Sequence, residues 1–176
     1  MYPPLYDMIQ LPRVFCGILL SVFFLSGAGC YSLRSTAIPI DMDTFYVATF
    51  DNRADNVVPV LAPQFTEELK DKLRNESRLI YAETDPDISF SGSITEYRVS
   101  PRVVQEGEAA NFSDLTISVL VICETTSEEY EPWQQRFSYA LPFDNTQNLL
   151  DIQEGLIDQI NEQLVEDIFN KAFNNW

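Results

Sequence analysis

Few residues in this chain have chemistry to offer, and the most telling is a cysteine. Cys30 follows Leu25-Ser26-Gly27-Ala28-Gly29, where small residues close an apolar run from Val14 to Leu25. A run of about a dozen residues suits the core of a signal peptide and falls short of the ~20 needed to cross a bilayer as a helix. A cysteine just after such small residues has the pattern of a bacterial lipoprotein cleavage site. Residues 1–29 are therefore expected to leave as a signal peptide, with Cys30 carrying covalent lipid. Each buried methylene contributes ~0.8 kcal/mol, so several acyl chains hold where a single one binds only marginally. An ordinary cleaved signal followed by a free Cys30 is the alternative.

The remaining chemistry is narrowed by what is missing. The chain of 176 residues has no histidine. That removes Ser/His/Asp triads, Cys/His dyads, His-ligated zinc and the commonest general base. Beyond residue 29 the glycines are scattered at Gly92, Gly107 and Gly155, so no phosphate-binding loop forms. Cys123 has no partner once Cys16 leaves with the signal and Cys30 is acylated, and its apolar neighbours make it a core thiol. The composition reads as non-catalytic, with no cofactor and no metal site. A net charge of −16 excludes a nucleic-acid footprint and bare adhesion to anionic membrane.

The elements that must position the rest follow from periodicity. Residues 30–43 are polar and aperiodic, a lipidated tether, and residues 44–176 suffice for one domain. Thr44 to Phe50 is apolar on both faces, predicting a central strand buried on two sides, and Asp51 to Asn56 ends it. Pro63 in a first turn, with Leu61, Phe65, Leu69 and Leu73 at four-residue spacing, predicts a helix that pairs Glu68 with Lys72 and stops at Asn75 to Ser77. A short strand from Leu79 to Glu83 and a turn at Asp85-Pro86-Asp87 come next.

Ile88, Phe90 and Ile94 alternate with hydroxyl residues before the apolar phase shifts to Tyr97 and Val99, which calls for a bulge near Gly92 or Glu96. Leu115, Ile117, Val119, Val121 and Cys123 alternate again, as do Trp133, Phe137, Tyr139 and Leu141, predicting two antiparallel hairpins. Trp133, Phe137 and Tyr139 fit either a core or a lipid cavity. Ser100 to Ser113 is a polar loop longer than a hairpin needs. Leu149 to Trp176 carries an apolar stripe at helical period. The expected fold is α+β: an antiparallel-rich sheet of about four to five strands, with two helices packed on one face.

Two polar features remain. Glu154, Asp158, Glu162 and Glu166 recur every four residues on the last helix, either as a solvated face or as a stripe turned to basic groups on a partner. The sheet face away from the helices carries Ser89, Ser91, Ser93, Thr95, Thr116, Ser118, Gln134, Arg136 and Ser138. Such a face suits bulk water or a wet interface with a partner.

The segments CYSLRSTAIP, PQFTEELKDKL, ISFSGSITEYRVSP, NFSDLTISV and VEDIFNKAFNNW, in this order across the chain beyond residue 29, resemble the LptE family of lipopolysaccharide-assembly lipoproteins. The resemblance implies a non-enzymatic subunit on the periplasmic side of the outer membrane that plugs and helps assemble a large β-barrel partner, LptD. It also implies contact with lipopolysaccharide through basic residues at one end of the sheet, for which Arg98 and Arg102 beside the long loop are the candidates. A lipid-binding periplasmic lipoprotein acting without a barrel is the competing reading.

Overall fold

The computed structural model describes residues 38–56, 58–102 and 111–173. Cys30, the signal segment and most of the tether lie outside the described residues, as do residues 103–110 of the long loop and residues 174–176 at the end of the last helix.

The chain order is β1 (Thr44–Val47), β2 (Asp51–Asn52), α1 (Leu61–Glu76), β3 (Ile80–Tyr81), β4 (Ile88–Pro101), β5 (Phe112–Thr125), β6 (Trp133–Asp144) and α2 (Leu149–Phe173). The sheet runs β3-β1-β4-β5-β6, with β2 also on β4. It is an α+β fold with a mixed sheet. β4, β5 and β6 form the expected antiparallel meander, whereas β1 runs parallel to both β3 and β4, and β2 runs parallel to β4. The parallel pairing arises because α1 returns the chain to the starting edge of the sheet, as a crossover between parallel strands requires.

Two local expectations are corrected. β1 ends at Val47 and buries only alternate residues, Phe45 and Val47, so one face of it is core and the other is not. Asp51 and Asn52, expected to break the strand, instead pair with Ser93 and Ile94. The phase shift in β4 falls between Ile94 and Glu96, not at Gly92. Gly92 has a different duty: a Cβ there would lie 2.0 Å from the Leu120 carbonyl oxygen and 2.8 Å from the Phe50 ring. Phe50 lies over that gap and meets Phe65 of α1 edge-on, at 5.0 Å between ring centroids.

Both helices cover the same sheet face. Ile88, Phe90 and Ile94 of β4 and alternate residues of β5 from Leu115 through Cys123 are fully buried there beneath Leu61, Phe65, Leu69, Leu73, Ile160, Leu164 and Ile168. The helices lie parallel, since Gln64 meets Asp158, Glu68 meets Asn161 and Lys72 meets Glu166. Both therefore start at the end of the sheet where β4 finishes and β5 begins. The described chain enters at the opposite end: Arg78 holds the Pro39 carbonyl oxygen and Asp43, and Met42, placed by sequence in the tether, is buried.

Candidate functional site

No described helix covers the other face of the sheet, and its chemistry centres on Glu96, the residue that the bulge turns outward. Its carboxylate accepts hydrogen bonds from Ser118 Oγ at 2.9 Å, Arg98 Nε at 2.7 Å and Arg136 Nη2 at 2.8 Å. The Ser118 bond, then Arg98, then the field of Arg136, hold the carboxyl below its ordinary range. Register explains the convergence, because Glu96 stands opposite Ser118, and Ser118 opposite Ser138. Ser118 also reaches Ser138 Oγ at 2.9 Å. The hydroxyl face is thus less solvated than its composition suggests: Ser118 is fully buried and Ser93 and Thr116 nearly so, beneath longer neighbours.

Arg98 lies on this face, held by Glu96 yet with its side chain 60% exposed. Arg102 is exposed four residues further on, where its backbone N–H closes the tip of the hairpin on the Phe112 carbonyl oxygen. The structure does not join Arg98 to Arg102; it joins Arg98 to Arg136 of β6 through their shared carboxylate. That pairing needs the register of three strands and the bulge together, so sequence spacing could not reveal it. Val99 and Phe112, both partly exposed, add apolar surface near the tip.

The acidic stripe of α2 is divided. Asp158 accepts a hydrogen bond from Gln64, and Glu166 pairs with Lys72, so both lie on the seam with α1. Glu154 and Glu162 are exposed. Glu68 does not pair with Lys72 as expected, because Lys72 is drawn to Glu76 and Glu166. Glu68 instead takes a long 3.4 Å bond from the buried Asn161. Burial raises the Glu68 pKa; the Asn161 and Gln64 bonds lower it, and nearby Asp158 and Glu162 raise it again.

Trp133 and Phe137 sit edge-on at 6.1 Å, and Trp133 meets Phe90 at 6.4 Å, so this aromatic set packs into the core. Its Nε1 donates to Tyr130 Oη, which in turn donates to the Ala172 carbonyl oxygen. Cys123 is buried among these groups, its pKa pushed up to about 12 by that burial. Among the described residues, no three acidic or thiol side chains are placed to hold a metal, and no helix is long and apolar enough to cross a membrane.

Solved structures with this architecture include the hypothetical protein CT253 from Chlamydia trachomatis, at a TM-score of 0.56 and 11% identity, covering 76% of this chain and 99% of that one. Protein XCC0632 from Xanthomonas campestris also reaches a TM-score of 0.56 at 11% identity, covering 81% of this chain and 91% of its own. At such identity the likeness is one of fold. No curated protein matches the sequence. The family model LptE, described as lipopolysaccharide-assembly, matches residues 42–172, from the buried Met42 through both helices and the whole sheet. The match spans most of the chain, and the chain belongs to the LptE lipopolysaccharide-assembly family, a family of non-enzymatic lipoproteins.

Proposed function

We propose that this protein is a lipid-anchored, non-enzymatic partner of an LptD-type outer-membrane β-barrel, which it plugs and helps assemble for lipopolysaccharide insertion. The observation that carries the reading is the family match over residues 42–172, which takes in every described element of the domain. The anchor is the diacylated thiol of Cys30, and the domain stands on the periplasmic side of the outer membrane. The chain enters the described domain at the end opposite the β4–β5 tip. The domain is thereby tethered at one end and presents the other, with Arg98, Arg102 and the apolar Val99 and Phe112, to what lies beyond.

In this reading, Arg98 and Arg102, joined by Arg136, meet the anionic groups of lipopolysaccharide. Arginine forks suit phosphate and carboxylate oxygens. The polar sheet face turns to the barrel lumen, and Glu154 and Glu162 are the members of the acidic stripe left to face its wall. The decisive measurement is affinity isolation from outer membranes in mild detergent, followed by mass spectrometry of the captured protein and lipid. A stoichiometric β-barrel supports the proposal. A protein that comes out alone with bound lipid overturns it in favour of a free lipid carrier.

A further inference from the structure

β6 is the last strand of the sheet, and among the described residues nothing is paired to its outer side. Asn145 donates to the Asn111 carbonyl oxygen just past its end, which fixes the alternation of the antiparallel ladder. Odd-numbered residues of β6 therefore bond to β5, and the backbone groups of Gln134, Arg136, Ser138 and Ala140 point to the open edge. Pro142, which has no N–H to offer, blunts only one end. An exposed strand of this length is a template for another chain, and folded proteins ordinarily cover or charge it.

Beside that edge runs a groove between β6 and the flank of α2. Two cavities of about 480 and 560 Å³ follow one another along it, lined by Tyr139, Leu141 and Phe143 from the strand and by Ile152, Gly155 and Gln159 from the helix. Gly155 is the informative residue. A Cβ there would touch nothing within 4 Å, so neither packing nor space calls for glycine. In an exposed helix interior glycine is less favourable than alanine. A small side chain there leaves the groove open, whereas a large one would grow into it.

We propose that this groove docks an extended basic segment of a partner protein, which adds to β6 as a further strand and lays alternate side chains against α2. The mode is strand addition, in which the main chain supplies affinity and pockets for every second side chain supply selectivity. Charge sets the occupant. Asp144, Asp151 and Glu162 line the two cavities, whose one lysine, Lys72, is already held by Glu76 and Glu166. A second copy pairing edge to edge would set two such acidic rims together in a chain of net charge −16. The inference does not depend on the barrel reading above.

The test uses the full chain in mild detergent and a fluorescent peptide of about ten residues alternating lysine and valine, long enough to follow β6. Three controls accompany it: the same peptide N-methylated on alternate backbone nitrogens, a glutamate–valine counterpart, and a scrambled lysine peptide. The expected result is saturable binding of the lysine–valine peptide that falls at least about tenfold, some 1.4 kcal/mol, on N-methylation or in Gly155→Phe. Ala140→Pro, which removes an edge N–H and no ladder bond, should act likewise, while Gly155→Ala should bind as the native chain does. Thermal melting confirms that each variant folds, and if Ala140→Pro does not, Gly155→Phe alone reads the groove. Absence of binding, equal binding of the N-methylated, scrambled or glutamate peptide, or full binding by folded Gly155→Phe overturns the proposal. So does a dimer, seen by sedimentation, that Gly155→Phe abolishes, because the occupant would then be a second copy.

Discussion

Asp87 shows how one carboxylate ties two distant segments. It accepts the backbone N–H groups of Asp43 and Thr44 at 2.9 and 2.8 Å and the Thr44 hydroxyl at 2.7 Å, while its own N–H donates to Thr44 Oγ1. The Thr44 side-chain bond first, then the two backbone bonds, hold its pKa below the ordinary value. The resulting stabilisation is fully present above the unfolded pKa and is lost as pH falls through the lower folded one. Asp87→Ala should cost about 1–3 kcal/mol in urea unfolding at neutral pH, and the deficit should close under strong acid. Glu68 has the opposite sign. Its raised pKa means that ionisation disfavours the native state, so Glu68→Gln should be the more stable protein at neutral pH, with the gain fading as the pH falls through the raised folded pKa and gone below the unfolded value. Equal pH profiles for Glu68→Gln and the parent chain would show that burial and the neighbouring Asp158 and Glu162 impose no penalty. Cys123, with its thiol held protonated by burial, should react with a thiol reagent only in denaturant, as site-resolved mass spectrometry would read.

At the scale of elements, the sharpest expectations concern Gly92 and Leu164. Gly92→Ala forces a methyl group against the Leu120 carbonyl and the Phe50 ring, and overpacking of that kind costs about 1–3 kcal/mol or more. Leu164 is fully buried at the centre of the α2 stripe, so Leu164→Asp should unfold a domain whose whole stability is ~5–15 kcal/mol. Glu162→Ala should melt close to the native chain, and equal melting of the Leu164 and Glu162 variants would misplace the helix. These elements were legible in sequence because each carries a long period. β5 keeps an apolar residue at every second position from Leu115 to Cys123, and α2 holds its stripe along most of its length. What was not legible is short or tertiary. β2 has two residues and no period, its pairing decided by β4. Of the two partners of Lys72, Glu76 lies on its own helix, but Glu166 lies on a helix more than ninety positions away. Arg98 and Arg136 meet only because a bulge re-aims Glu96. Candidate residues were therefore found singly, and their company was not.

For the whole molecule, the reading as a barrel partner turns on Cys30 and on the arginine face. Cys30→Ala should leave an unprocessed precursor without acyl mass, and a mature N-terminus beginning elsewhere would end the lipoprotein reading. Arg98→Gln with Arg136→Gln should keep the fold, since both side chains are largely exposed and no new carboxylate is set against Glu96, while the yield of co-isolated lipopolysaccharide falls. Unchanged lipid yield would remove the arginines from the contact. A last consequence follows from β4, whose fourteen residues run from the end where the described chain enters to the far tip. At roughly 3.3 Å per residue the strand is about 45 Å long. Because neighbouring strands share its register, the domain is a ruler graduated in steps of two residues, each about 7 Å. Excising one matched dipeptide from β4, β5 and β6 together would shorten the reach by one graduation and keep every inward side chain inward. A single-residue excision would invert the faces instead. Whatever meets the tip is met at a height written in strand length, and changing that height by whole graduations is a way to measure it.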